Sequence, residues 1–151
     1  MTQLSSILLA EDNPHDVELT LAALAEHNLA NEVIVAADGA EALDYLNCRG
    51  NFRSRAPGNP AVVLLDLKMP RVNGLEVLRA IKENERLRNI PVVMLTSSRE
   101  EPDLVRSYQL GANAYVVKPV DFQAFVAAVK QLGLFWAMLN EPPPGSVRVE
   151  H

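Results

Sequence analysis

Four short apolar runs constrain the fold most: Ile7–Ala10, 62–65, 92–95 and Ala114–Val117. They are dominated by Val, Leu and Ile and do not alternate with polar residues. A strand that shows water neither face must be covered on both, which suits a parallel sheet between helices. A fifth run, Val33–Ala36, carries the same pattern more weakly.

Helical periodicity fills the intervals. Val17, Leu21 and Leu24 predict a helix over 16–28, and Leu43 and Leu46 one from 39 to about 49. Val77, Leu78 and Ile81 predict a third from 74 to about 84. Leu104, Val105 and Tyr108 mark a fourth, with Pro102 in its first turn. Phe122, Phe125, Val126, Val129 and Leu132 share one face of a fifth, with Asp121 at its N-cap. Strand alternating with helix five times implies an α/β fold, a doubly wound five-stranded parallel sheet with helices on both sides. The stretch 50–60, with two glycines and two prolines, reads as an exposed loop of unusual length. Residues 1–141 are expected to form a single domain. Pro142, Pro143 and Pro144 stop any helix, so 142–151 is expected to be a loose tail.

Hydrophobic residues make up 48% of the 151-residue chain, enough for a real core. The net charge of -5 gives no attraction to nucleic acid or to an anionic membrane. The single cysteine, Cys48, excludes an intrachain disulfide and a cysteine-based zinc site, and fits a reducing, cytoplasmic setting. No apolar stretch has the length of a membrane span. His15, His27 and Cys48 lack metal-ligand spacing and read as surface or packing residues.

Ligands of an open parallel sheet bind outside the carboxyl ends of its strands. Glu11 and Asp12 follow the first strand, Asp66 the third, Thr96 the fourth and Lys118 the fifth. Taken singly, each has an ordinary explanation: a helix-start acid, a turn acid, a strand-end hydroxyl, a solvated lysine. Returned together to one edge, they form a set. Three carboxylates repel one another unless a cation lies among them, and hard oxygen donors of this kind suit Mg²⁺. Lys118 adds a mobile positive charge and Thr96 a hydroxyl donor. A carboxylate nucleophile, a metal and surrounding donors can together accept a phosphoryl group.

The stretches ILLAEDNPHD, LLDLKMPRVNG, VVMLTSS and AYVVKPVD, in this order and at these intervals, resemble response-regulator receiver domains over roughly 6–139. The resemblance implies a CheY-like, flavodoxin-like three-layer sandwich with strand order 2-1-3-4-5. It makes Asp66 the phosphoacceptor, and Glu11 and Asp12 the acidic pair for Mg²⁺, with Asp66 and the backbone carbonyl of Lys68 completing the protein ligands. Thr96 and Lys118 would hold the phosphoryl group, the Lys118–Pro119 bond would be cis, and Tyr115 would be an aromatic switch that follows Thr96. Lys68 and Ser98 flank the site. The acidic pair is Glu-Asp where Asp-Asp is commoner, so Asp12 is expected to meet the metal directly and Glu11 through water. The chain would not be an enzyme beyond its own phosphorylation and dephosphorylation.

DVELTLAAL, ALDYL, RSYQLGANAYVVKPVDF and LGLFW are also similar to single-domain regulators paired with bacterial phytochromes. That resemblance implies a phytochrome-type sensor histidine kinase as partner. Regulators of that subset commonly form homodimers, which makes Tyr108, Phe135, Trp136 and Leu139 dimer candidates; the alternative is that this tail folds back on its own domain.

Three other readings compete. A phosphatase of the haloacid dehalogenase type needs a second aspartate two residues after the nucleophile, where this chain has Lys68. A dinucleotide-binding loop needs glycines where it has Glu11, Asp12, Asn13 and Pro14. A receiver-like module that works without phosphorylation usually lacks a key residue, and here the whole set is present.

Overall fold

A computed structural model describes residues 6–25, 33–97 and 102–131. Five strands alternate with five helices: β1 Ile7–Ala10, α1 Pro14–Ala25, β2 Val33–Ala36, α2 Gly39–Leu46, β3 Val62–Asp66, α3 Gly74–Glu83, β4 Val92–Thr96, α4 Pro102–Gln109, β5 Ala114–Val117 and α5 Phe122–Gln131. The sheet is parallel throughout, in the order β2-β1-β3-β4-β5.

The apolar runs do what their composition requires. Alternate residues of β1, β3 and β4 enter opposite cores, so neither face of these strands is left for water, whereas Val35 on the edge strand β2 is exposed. Leu8, Val63, Leu65, Val92 and Met94 pack on one side with Leu46 of α2 and Val77, Leu78 and Ile81 of α3. Ile7, Leu9, Leu64, Val93, Leu95 and Val116 pack on the other with Leu24 of α1 and Phe125 and Ala128 of α5.

Helix starts are set by local chemistry. The Asn13 side chain accepts from the backbone N–H groups of His15 and Asp16, and Pro14 takes the first helical position. α1 therefore begins two residues before its expected start, and its buried face is Thr20, Ala23 and Leu24 with Val17 partly covered. Asp38 and Asn73 cap α2 and α3 in the same way. α2 stops at Leu46 because Asn47 leaves the helical region and Cys48 takes a positive φ of 53°. In α5 Phe125 is buried and Val126 half-buried, as the stripe predicts. The side chains of Phe122 and Val129, and residue Leu132, lie outside what is described.

The stretch 50–60 is ordered rather than merely long. It opens with a 3₁₀ turn over Gly50–Phe52. Arg55 stacks 4.0 Å above the Tyr45 ring and donates to the carbonyls of Tyr45, Ala56 and Gly58, which fastens the loop to α2. The predicted tail, 142–151, falls outside the described residues.

Two glycines let the segment after β3 lie close to its neighbours. A Cβ on Gly74 would sit 2.2 Å from the carbonyl oxygen of Asp66, and one on Gly39 1.9 Å from that of Val72. Both obstacles are backbone and cannot swing aside. Alanine gains about 1 kcal/mol over glycine in a helix, but overpacking against fixed backbone costs about 1–3 kcal/mol. Gly74→Ala is therefore expected to lower stability by about 2 kcal/mol net or less, read as a lower urea midpoint with an unchanged slope.

Candidate functional site

The parallel register carries the predicted residues to one edge. Asp66 ends β3 beside Leu95, and Thr96 ends β4 beside Val117. The ladder continues past the strands: Leu67 N–H donates to the Leu95 carbonyl at 3.1 Å, and Lys118 N–H to that of Thr96 at 2.8 Å. Glu11 N–H donates to the Ala36 carbonyl at 3.0 Å. The residues just past β1, β3 and β5 are thus fixed by backbone hydrogen bonds. The Lys118–Pro119 bond is cis.

A cleft of about 230 Å³ opens between these ends, and Glu11, Asp12, Asp66, Thr96 and Lys118 all line it. Glu11, Asp66 and Thr96 are buried, while Asp12 and Lys68 face solvent. One carboxylate oxygen from each of Glu11, Asp12 and Asp66 lies within 4.8 Å of the others. The Lys68 N–H reaches toward Asp66 Oδ1 at 3.4 Å.

Lys118 occupies the centre. Its Nζ stands 2.8 Å from Glu11 Oε1, 3.1 Å from Asp16 Oδ2 and 3.3 Å from Asp66 Oδ2. Burial alone would lower the lysine pKa, yet hydrogen bonds to Glu11 and Asp16 and the charges of Asp66 and Glu11 raise it above its ordinary value. The ammonium is a permanent cation here, not a surface lysine. Asp16 was not foreseen as part of the site. Local sequence places it in the first turn of α1, after the Asn13 cap and Pro14, but only the fold brings it to Lys118.

A second ion pair braces the rim. Arg71, in the loop after β3, has a positive φ of 65° and donates from Nε to Asp38 Oδ2 at 2.9 Å. Burial opposes ionisation of Asp38, but the Glu41 N–H and the Arg71 guanidinium hold its carboxyl below the usual range. This links the cap of α2 to the segment that carries Lys68.

The aromatic residues lie to one side. Tyr115 is half-buried and meets the Tyr108 ring edge to face, with centroids 6.1 Å apart. Tyr108 is 44% exposed and its neighbour Val105 64% exposed. Phe135, Trp136, Leu139 and Ser98 lie outside the described residues.

The donor set fits a hard divalent cation. Three carboxylate oxygens converge with one exposed side for water, an arrangement suited to Mg²⁺ or Mn²⁺. The cost of keeping these acids together without a cation is visible at Glu11. Burial first, and then its hydrogen bond with Asp66, push its pKa from 4.5 to about 7, with Lys118 pulling the other way. Between those values the folded protein retains a proton that the unfolded chain has lost. Glu11 therefore contributes stability that is complete below 4.5 and lost as pH rises through about 7. Without divalent cation, wild type is expected to lose stability relative to Glu11→Gln between about pH 5 and pH 7.5. Added Mg²⁺ should raise the wild-type melting temperature more at the higher pH.

Comparison with known proteins agrees with this geometry. Residues 7–130 match the family described as the response regulator receiver domain. The bacteriophytochrome response regulator RtBRR is 66% identical, with 95% of this chain and 87% of that one superposed at a TM-score of 0.84. The probable methanogenesis regulatory protein FilR2 of Methanothrix harundinacea is 41% identical over 91% of this chain and 86% of its own length. Response regulator Rcp1 of Synechocystis sp. is 36% identical over 86% of this chain and 87% of its own. A Mn²⁺-bound form of a response regulator Rcp1 superposes at a TM-score of 0.71 over 96% of this chain and 99% of that one, at 32% identity. With its five-stranded parallel sheet and its acidic edge, this chain belongs to the response regulator receiver domain family.

Proposed function

We propose that the chain accepts a phosphoryl group on Asp66 from the phosphohistidine of a sensor kinase. The observation that carries this reading is the placing of the Asp66 carboxylate at the end of β3, with an ammonium 3.3 Å away and two further carboxylates beside it. An Asp66 oxygen attacks phosphorus, the bond from phosphorus to the histidine nitrogen breaks, and the imidazole departs with the electron pair. Glu11, Asp12, Asp66 and the Lys68 carbonyl would hold Mg²⁺. Bound there, the ion offsets negative charge on the carboxylates and the transferring group. Lys118 supplies a second positive charge and remains on a phosphoryl oxygen after transfer. Thr96, buried at the end of β4, donates its hydroxyl to another.

The phosphoryl group selects between two arrangements of the domain, and Thr96 is the residue through which it does so. Tyr115, on the adjacent strand, passes the choice to the exposed α4 surface at Val105 and Tyr108. This surface is where a second copy or another partner docks. The similarity to the bacteriophytochrome response regulator RtBRR supports a phytochrome-type kinase as the donor.

Intact-protein mass after incubation with Mg²⁺ and acetyl phosphate tests the acceptor. Wild type should gain one phosphoryl group, and Asp66→Asn none, with the gain abolished by a chelator. A labelled Asp66→Asn protein would mean that another acid is the acceptor. Thr96→Ala should still be phosphorylated but should lose any phosphorylation-dependent change in sedimentation or partner binding. Retention of that change would remove Thr96 from the switch.

A further inference from the structure

We infer that Asp16 is a positioning residue that competes with the phosphoryl group of Asp66 for the ammonium of Lys118, and thereby limits the stability of the phosphorylated state. The inference rests on Asp66 being the acceptor.

Lys118 has three N–H bonds to give. Two are directed to Glu11 at 2.8 Å and Asp16 at 3.1 Å; Asp66 has the longest of the three contacts, at 3.3 Å. The cation closest to the acceptor is thus held chiefly by other acids. Glu11 is a wall of the site, fully buried and grouped with Asp12 and Asp66. Asp16 differs from it in two respects. It stands outside the group of carboxylates whose oxygens converge for a cation. Its position is set by the start of α1, since its own N–H donates to the Asn13 cap and Pro14 fixes the turn before it. Asp16 therefore acts on the site through Lys118 and not through the metal.

A phosphoryl group on Asp66 presents new oxygens on the side of Lys118. The four-carbon stem lets the ammonium turn toward them. Turning loosens the contact with Asp16, whose backbone is held in the capped first turn of α1. What Lys118 gains at the phosphoryl group is reduced by what it gives up at Asp16.

Titration of the full chain with beryllofluoride and Mg²⁺, by calorimetry, tests this. Beryllofluoride adds to a carboxylate and imitates its phosphorylated form. Asp16→Asn should tighten binding by about twofold to fivefold, the scale of one partly exposed ion pair. The phosphoryl lifetime after removal of acetyl phosphate should lengthen in the same direction. Asp16→Ser, which also keeps a polar first-turn side chain, should show the same gain. In a Lys118→Met background the Asp16→Asn change should have no effect.

Unchanged or weaker binding in Asp16→Asn would overturn the inference. So would a gain of equal size without Lys118, since that is the signature of removing one negative charge from the site at large. A merely structural role would shift the melting temperature and leave the Lys118-dependent gain at zero. Failure of wild type to bind beryllofluoride would remove the Asp66 reading and this one together, whereas wild-type binding indifferent to Asp16 would remove this one alone.

Discussion

The site depends on one ammonium group among carboxylates. Glu11, Asp16 and Asp66 come from the end of β1, the first turn of α1 and the end of β3, and each lies within 3.3 Å of Lys118 Nζ. Without that charge, like charges at this spacing would force a carboxyl group to take up a proton or push the strand ends apart. Lys118 does not remove the conflict entirely. Glu11 still has a strongly raised pKa, because burial and Asp66 together outweigh the attraction of the lysine. The remaining negative charge is what makes the edge fit a divalent cation.

The fold supplies the precision that such a cluster needs. Parallel pairing brings the β1, β3, β4 and β5 ends to one edge, and backbone hydrogen bonds from Leu67 to Leu95 and from Lys118 to Thr96 extend the register into the site. The two cores then hold the strands from both sides. Close packing reaches Asp66 itself: Gly74 brings α3 against its backbone, and the Arg71–Asp38 pair ties the following loop to α2. The geometry of Asp66 is therefore set by interactions well beyond its own side chain.

Much of this was legible in the chain. The strand runs were visible because burial on both faces leaves a distinctive composition, and the observed bounds add only Asp66 and Thr96 to the expected strands. Helix ends were less legible, since they turn on single caps. α1 starts at Pro14 because Asn13 captures two N–H groups, a local event that apolar periodicity does not register. The loop over 50–60 reads as irregular in sequence because what orders it, Arg55 lying across Tyr45, joins residues ten positions apart.

By itself the sequence determined the class of the fold, the edge at which the chemistry gathers and the identity of Glu11, Asp12, Asp66, Thr96 and Lys118. These follow from residue type at strand ends, a property of short segments. Tertiary structure alone decided which charges are partners. Asp16 is 102 positions from Lys118, and Asp38 is 33 from Arg71. No pattern in a one-dimensional chain distinguishes these acids from others on helix starts, whereas folding brings each within hydrogen-bonding distance of its cation. Coulomb attraction falls with separation and with solvent between the charges, so only the folded arrangement sets which charges pair.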